Sequence, residues 1–241
     1  MPFSFQWNSH QGTRTEDNRD HAAIAIRGDC VLMLVLDGST NGPASGAFAR
    51  EIAGRMMDWF MNGATASAES LTAQLRTTHA ALADHFKGDS ASYAIVHAEP
   101  GHPVLVSHAG DCIVGRSEPD GNIDWLLQPH TLANALSPVP HDAIAKDPSR
   151  HLLTRNFRSR SFMAPDFVSI ELDDRPLLVA TDGFWADLDP TAQGAFLEGR
   201  FSTAESERDD QSVLSLTRGS TGSSIEIKGV HDTQSIQVRQ A

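Results

Sequence analysis

A chain of 241 residues with a 40% hydrophobic share can bury one sizeable core, and nothing in its composition demands a second domain. A formal charge of −12 argues against a nucleic-acid binder, which needs a basic face to neutralise phosphates, because Lys and Arg are scattered here. The N-terminus lacks a basic start followed by an apolar stretch, and no run approaches bilayer-spanning length, so neither export nor a membrane role is expected.

Phe3, Phe5 and Trp7 alternate with Ser4 and Gln6, the period-2 pattern of a half-buried strand. A polar loop, GTRTEDNRD, leads to strands over 21–27 and 30–36, joined by the tight turn Gly28-Asp29 as an antiparallel hairpin. The second of these ends in Asp37-Gly38. Phe48, Ile52 and Met56 recur at helical spacing over 44–61, with Pro43 at the helix start. A second helix is expected over 68–87, capped by Ser67 and apolar along Leu71, Leu75, Leu82 and Phe86.

Strands follow over 92–98, 103–109, 111–117 and 123–127; short sequential strands imply antiparallel pairing rather than alternating β and α units. The stretch 128–165 has weak periodicity and reads as loops and short helices, an irregular length of chain that is often functional. Order returns with a strand over 167–172. The apolar run PLLVATDGFW then delivers Asp182 at a strand tip, with Gly183 permitting a sharp turn. A short helix from Asp189-Pro190 to about Gly199 precedes a strand over 212–217, entered through Asp209 and Asp210. Segments 225–228 and 235–238 are candidate edge strands. The expected organisation is one domain over 1–241, with 219–241 a tail or edge-strand extension. The two cysteines, Cys30 and Cys112, sit among apolar neighbours without metal or disulfide spacing, so reduced thiols and a cytoplasmic setting are expected.

Asp37, Asp111, Asp182 and the pair Asp209-Asp210 stand at strand ends or adjoining loops, and Asp20 just before a strand. Crowded carboxylates repel one another unless a cation neutralises them, and hard oxygen donors without a His or Cys cluster favour Mg²⁺ or Mn²⁺. Two such ions can share a water, lower its pKa and direct it at phosphorus. Taken singly, each Asp-Gly pair is more simply a turn.

The ordered set of Arg14 and Asp20 in the N-terminal loop, VLDG, GDSASYAIV, SHAGDCIVG, LLTRNFRS, LLVATDGFWADL and DDQSVLSL resembles the metal-dependent PP2C (PPM) protein phosphatases over roughly residues 12–217. The resemblance implies an α+β fold, a four-layer α-β-β-α sandwich with two central antiparallel sheets flanked by helices. It implies two, with room for a third, Mn²⁺ or Mg²⁺ ions. In that pattern Asp37 bridges the metals, Gly38 offers its carbonyl, and Asp182 and Asp209 complete the carboxylates. Asp111 matches a weaker additional site, Asp20 the loop residue holding metal-bound water, and Arg14 the phosphate-binding arginine.

The implied activity is hydrolysis of phosphoserine and phosphothreonine in proteins, and the implied partners are a phosphorylated protein substrate and a cognate Ser/Thr kinase. Three departures stand out. The family's Asp-Gly-x-Gly-Gly is DGSTNG, Arg14 lies six residues before Asp20 instead of five, and Ser39 stands where some members carry a proton-donating His. Glu16 and Asp17 are the alternative acidic pair of the first loop, and Asp210 the alternative to Asp209. These departures keep two other readings open, a phosphoprotein- or kinase-binding module without turnover and a phosphatase of small esters. Arg155 and Arg158, in TRNFRSR, are candidates for holding an acidic or phosphorylated partner, with a solvated loop as the plainer alternative.

Overall fold

The computed structural model describes residues 3–201, 207–219, 224–228 and 235–241. The first strand, β1 (Phe3–His10), buries Phe3, Phe5 and Trp7 as the alternation predicts. β2 (Asp20–Arg27) and β3 (Cys30–Gly38) form the expected hairpin, with Arg27 opposite Cys30 and Gly28 at φ +58° in the turn. Val31, Met33 and Val35 of β3 enter one core and Leu32, Leu34 and Leu36 another, which is why this strand reads as an unbroken apolar run.

α1 (Ser45–Met61) buries Phe48, Ile52, Met56 and Phe60 along one stripe. α2 (Ala68–Leu82) is capped reciprocally by Ser67 and Ser70. It ends five residues before the expected Lys87, because the chain tightens at Leu82 and turns at Gly88, φ +93°. Phe86 still packs on Phe48, ring centroids 5.1 Å apart.

β4 (Ser90–Ala98) and β5 (Val104–Ala109) pair antiparallel, but β6 (Ile113–Ser117) belongs to the other sheet. The expected strand over 111–117 therefore starts two residues late, and Asp111 lies in the crossing between sheets, after Gly110 at φ +109°. β7 (Ile123–Trp125) follows β6. The irregular stretch holds two 3-10 turns, α3 (His141–Lys146) and the two-residue β8 (Phe157–Arg158), which pairs with β4. β9 (Asp166–Ile170) lies against β5, and β10 (Leu177–Ala180) between β6 and β11. α4 (Asp182–Trp185) and α5 (Pro190–Leu197) precede β11 (Gln211–Arg218), β12 (Ser224–Lys228) and β13 (Ile236–Gln240).

One sheet has the order β12-β1-β11-β10-β6-β7 and the other β13-β2-β3-β4-β5-β9 with β8 beside β4. All described pairings are antiparallel except β1 with β12 and β2 with β13, so the two C-terminal strands add to the edges in parallel. The sheets pack face to face over one apolar core, while α1 and α2 cover the outer face of the second sheet. α5 covers the first: Asn8 Nδ2 and Gln6 Nε2 each donate, at 2.6 Å, to the carbonyls of Phe196 and Leu197 respectively. The result is the α-β-β-α sandwich that the resemblance implies. Among the described residues no helix is long and apolar enough to cross a membrane.

Candidate active site

Strand ends from both sheets deliver acidic side chains to one end of the sandwich. Asp20 opens β2 directly opposite Asp37 near the end of β3, and Asp37 in turn faces Ser92 of β4. Asp111 comes from the sheet-to-sheet crossing, Asp182 from the first residue of α4, and Asp209 from just before β11. A cavity of about 580 Å³ is lined by Arg14, Asp37, Asp111, Asp182 and Asp209, with Ser39, Thr40 and Asn41 also on its wall.

Asp182-Gly183 is not a turn after a strand: β10 stops at Ala180 and Thr181 leads into α4. Gly183 has an ordinary φ, and its role is close approach, since a Cβ there would lie 2.0 Å from the Asp210 carbonyl oxygen. Gly38 likewise allows the start of α1 to pass, a Cβ meeting the Ser45 carbonyl oxygen at 2.6 Å. Two glycines thus let two pairs of backbone segments pass closely beside the acidic residues Asp37 and Asp182.

Burial dominates the electrostatics. It holds the Asp37 carboxyl well above the usual range, aided by the charges of Asp20, Asp182, Asp111 and Asp209. Asp182 is raised by burial and then by Asp111 and Asp209, with Arg150 opposing. Burial also raises Asp111, against a 2.6 Å hydrogen bond donated by the Ser92 hydroxyl. Asp20 is 1% exposed and raised by burial and Asp210; Thr181 Oγ1 donates to its Oδ2 at 2.9 Å, while its buried Oδ1 has no hydrogen-bond partner. Asp210 sits at about 6, raised by burial although its two carboxylate oxygens accept from the backbone N–H groups of Gly12 and Arg19, both at 2.7 Å.

Arg14, Asp37, Asp111, Asp182 and Asp209 therefore meet in one cavity. Asp20 is buried and is not among the lining residues, and Gly38 sits at the buried end of β3. Asp210 is turned away and spent on backbone donors. Arg14 Nη1 reaches Asp209 Oδ2 at 2.5 Å despite its longer spacing from Asp20. Glu16 and Asp17 are not among the lining residues.

Sequence reasoning missed Arg150. Nearly buried, it donates from Nη1 to Asp182 at 2.8 Å and from Nη2 to Asp187 at 2.5 Å. It is carried by the 3-10 turn after Pro148, whose first turn Asp147 caps through the Ser149 N–H. Trp185 is packed in the core, and its Nε1–H donates to the Asp111 carbonyl at 2.8 Å. Arg19 Nη1 donates to the carbonyls of Ser39, Thr40 and Gly42, bracing the loop that lacks the paired glycines.

Among the described residues no three His, Cys, Asp or Glu side chains converge as ligands on one point. One oxygen each of Asp182 and Asp209 is paired with a guanidinium group, of Arg150 and Arg14 respectively. The donor set still fits a hard divalent cation. It consists of carboxylates that burial first, and their mutual repulsion second, hold above the usual range, contains no soft ligand, and has beside it Asp20 with an orphaned buried oxygen.

No protein-family model matches the sequence, and no curated protein does. The fold, however, is that of the bacterial PPM (PP2C) serine/threonine phosphatases. Stp1 from Staphylococcus aureus superposes with a TM-score of 0.74 at 15% identity, over 89% of this chain and 94% of that one. MsPP from Mycobacterium smegmatis, solved with cacodylate, gives 0.72 at 22% identity over 89% and 98%. The catalytic domain of PstP, solved with two manganese ions, gives 0.65 at 16% identity over 89% and 97%.

Proposed function

We propose that this chain is a Mn²⁺- or Mg²⁺-dependent phosphatase that hydrolyses phosphoserine and phosphothreonine in proteins. The observation that carries the reading is the gathering of Asp37, Asp111, Asp182 and Asp209 with Arg14 on one cavity of a PPM-type fold. Asp37, Asp182, Asp209 and the Gly38 carbonyl would hold two ions, and Asp111 a third. Bound there, such ions supply Lewis acidity and a water of lowered pKa, as expected of a dimetal hydrolase.

The chain's own residues do the rest. Asp20, buried opposite Asp37 and braced by Thr181, is a fixed carboxylate suited to accept from a metal-bound water. Arg14, only partly exposed at the cavity wall, offers a planar fork suited to phosphate once it leaves Asp209. Arg150 holds Asp182 from the buried side, so this carboxylate keeps its place through turnover. Cys30 and Cys112 are free thiols, which suits a cytoplasmic setting.

Arginine pairing of Asp182 and Asp209 favours one competing reading, a phosphoprotein-binding module in which guanidinium groups stand in for metals. Release of phosphate from a phosphothreonine peptide, with and without Mn²⁺, separates the two, backed by calorimetric titration of Mn²⁺. The phosphatase reading expects metal-stimulated turnover, binding of two ions, and loss of at least about 100-fold in Asp37→Asn. Wild-type protein that releases phosphate neither from the peptide nor from p-nitrophenyl phosphate refutes it. A preference for free metabolites over the peptide would shift the substrate class to small esters.

A further inference from the structure

β8 does more than close a sheet. Its Arg158 lies opposite Ser90 of β4 and is also bridged to Ser161, so a tight turn presents Arg158, Ser159 and Arg160 together. The turn is pinned from below, with the Ser159 N–H donating to the Asp89 carbonyl at 3.1 Å and the Gly88 N–H to Ser159 Oγ at 3.2 Å. A hollow of about 340 Å³ is lined by Arg158, Ser159 and Arg160 and shares Ser90 and Asn156 with the carboxylate cavity. A further hollow of about 300 Å³ shares Gly88, Ser159 and Arg160 and adds Lys87. Adjoining hollows therefore form a groove-like row from the wall of the acidic cavity to three cations.

These cations are available. Arg158 donates from Nε to Asn156 Oδ1 at 2.8 Å, and among the described residues neither it, Arg160 nor Lys87 has a carboxylate partner. Arg155 differs, being committed to Asp166 and the Ala164 carbonyl. The one carboxylate lining the groove, Asp89, is buried, and its Oδ1 accepts from the Ala44 N–H and the Ser45 hydroxyl.

We propose that this groove is an anion subsite for the substrate chain, selecting phosphorylated Ser or Thr that has a carboxylate or a second phosphate nearby in sequence. The proposal rests on the phosphatase reading and deepens it. Register sets the scale. Asp37 faces Ser92 on one side of β4 and Arg158 faces Ser90 on the other. Two strand spacings across and two residues along place the two Cα atoms roughly 12 Å apart, the reach of about four extended residues. The overall charge of −12 repels an acidic peptide elsewhere on the surface, so a local cationic groove discriminates strongly in its favour at low salt.

The test uses fluorescent phosphothreonine peptides whose flanking residues, within four of the phosphothreonine, are alanine, glutamate or phosphoserine. Two readouts are taken, kcat/KM with Mn²⁺ and Kd by fluorescence anisotropy, at low and high salt. Wild-type protein is expected to favour either acidic peptide over the alanine peptide by about tenfold at low salt, a preference that shrinks at high salt. The larger of the two acidic responses identifies the anion. The variant R158E/R160E is expected to lose the preference while turning over p-nitrophenyl phosphate like wild type, which also shows that it is folded. A K87E variant is expected to give a partial loss. Equal affinities for all three peptides, or a preference that survives in R158E/R160E, overturn the proposal. If no ester is hydrolysed, the phosphatase reading fails, and the anisotropy contrast still decides the groove.

Discussion

Arg150→Met removes a charge and keeps most of the side-chain volume, leaving Asp182 and Asp187 facing each other without a cation. Arg150 and Asp182 are both nearly buried, with side chains 8% and 7% exposed. Removing one partner of such a pair costs about 3 to 5 kcal/mol, because the remaining charge stays desolvated. Asp187 is more open, at 23%, which places the loss at the lower end, about 3 kcal/mol at pH 8. For a chain of 241 residues that corresponds to a fall of about 6 °C in Tm.

The assay is thermal unfolding in chelator at pH 8 and pH 5. Losing the guanidinium lifts the Asp182 pKa further above its unfolded value. A carboxyl with a raised folded pKa contributes stability at low pH that is lost as pH rises through that folded value. The deficit is therefore expected to be full at pH 8 and smaller at pH 5. Equal Tm values at pH 8, or a deficit that grows on acidification, would refute the reasoning.

Two further outcomes follow from packing and burial. Gly183→Ala forces a Cβ against the Asp210 carbonyl, and a loss of about 3 kcal/mol with impaired metal binding is expected; denaturant unfolding and Mn²⁺ calorimetry check it. His21 is buried, and burial followed by the Arg50 charge pushes its pKa down to about 4, so its neutral form contributes stability that disappears as pH falls from about 6.5 towards 4. Between pH 7.5 and pH 5, His21→Leu is expected to lose about 2 kcal/mol less than wild type in urea titrations.

Strand ends were the legible part of the site. Asp37 and Asp182 follow apolar runs buried on both faces, a pattern that needs no partner to be seen, and their meeting follows once the two sheets stack. Gly183 was misread because a turn and a close crossing both ask for glycine, and only the distant Asp210 backbone tells them apart. Arg150 was hidden for a related reason. Its segment has no periodicity, and its partners lie 32 and 37 residues on, so no local spacing records the pair. The pairing of Ser90 with Arg158 was equally unreadable, because a two-residue strand leaves no alternation. At the C-terminus, edge strands were expected, but the parallel direction of β12 and β13 is set by which open edge they meet.

The adjacency of β1 and β11 also has a bearing on when the acidic cavity is assembled. Phe3 lies beside Arg218 and His10 beside Gln211, and this ladder is what carries Arg14 to Asp209. Closing a loop of about 200 residues costs about 2 kcal/mol more than closing one of about 20, and contacts so distant in sequence are late to form. A nascent chain can assemble the β2-β3 hairpin, with Asp20 opposite Asp37, long before β11 exists. Such a fragment would carry paired acids but neither Asp209 nor its bond to Arg14. The ladder between β1 and β11 is thus also the step that completes the acidic cavity, so a chain broken off before β11 holds only part of it.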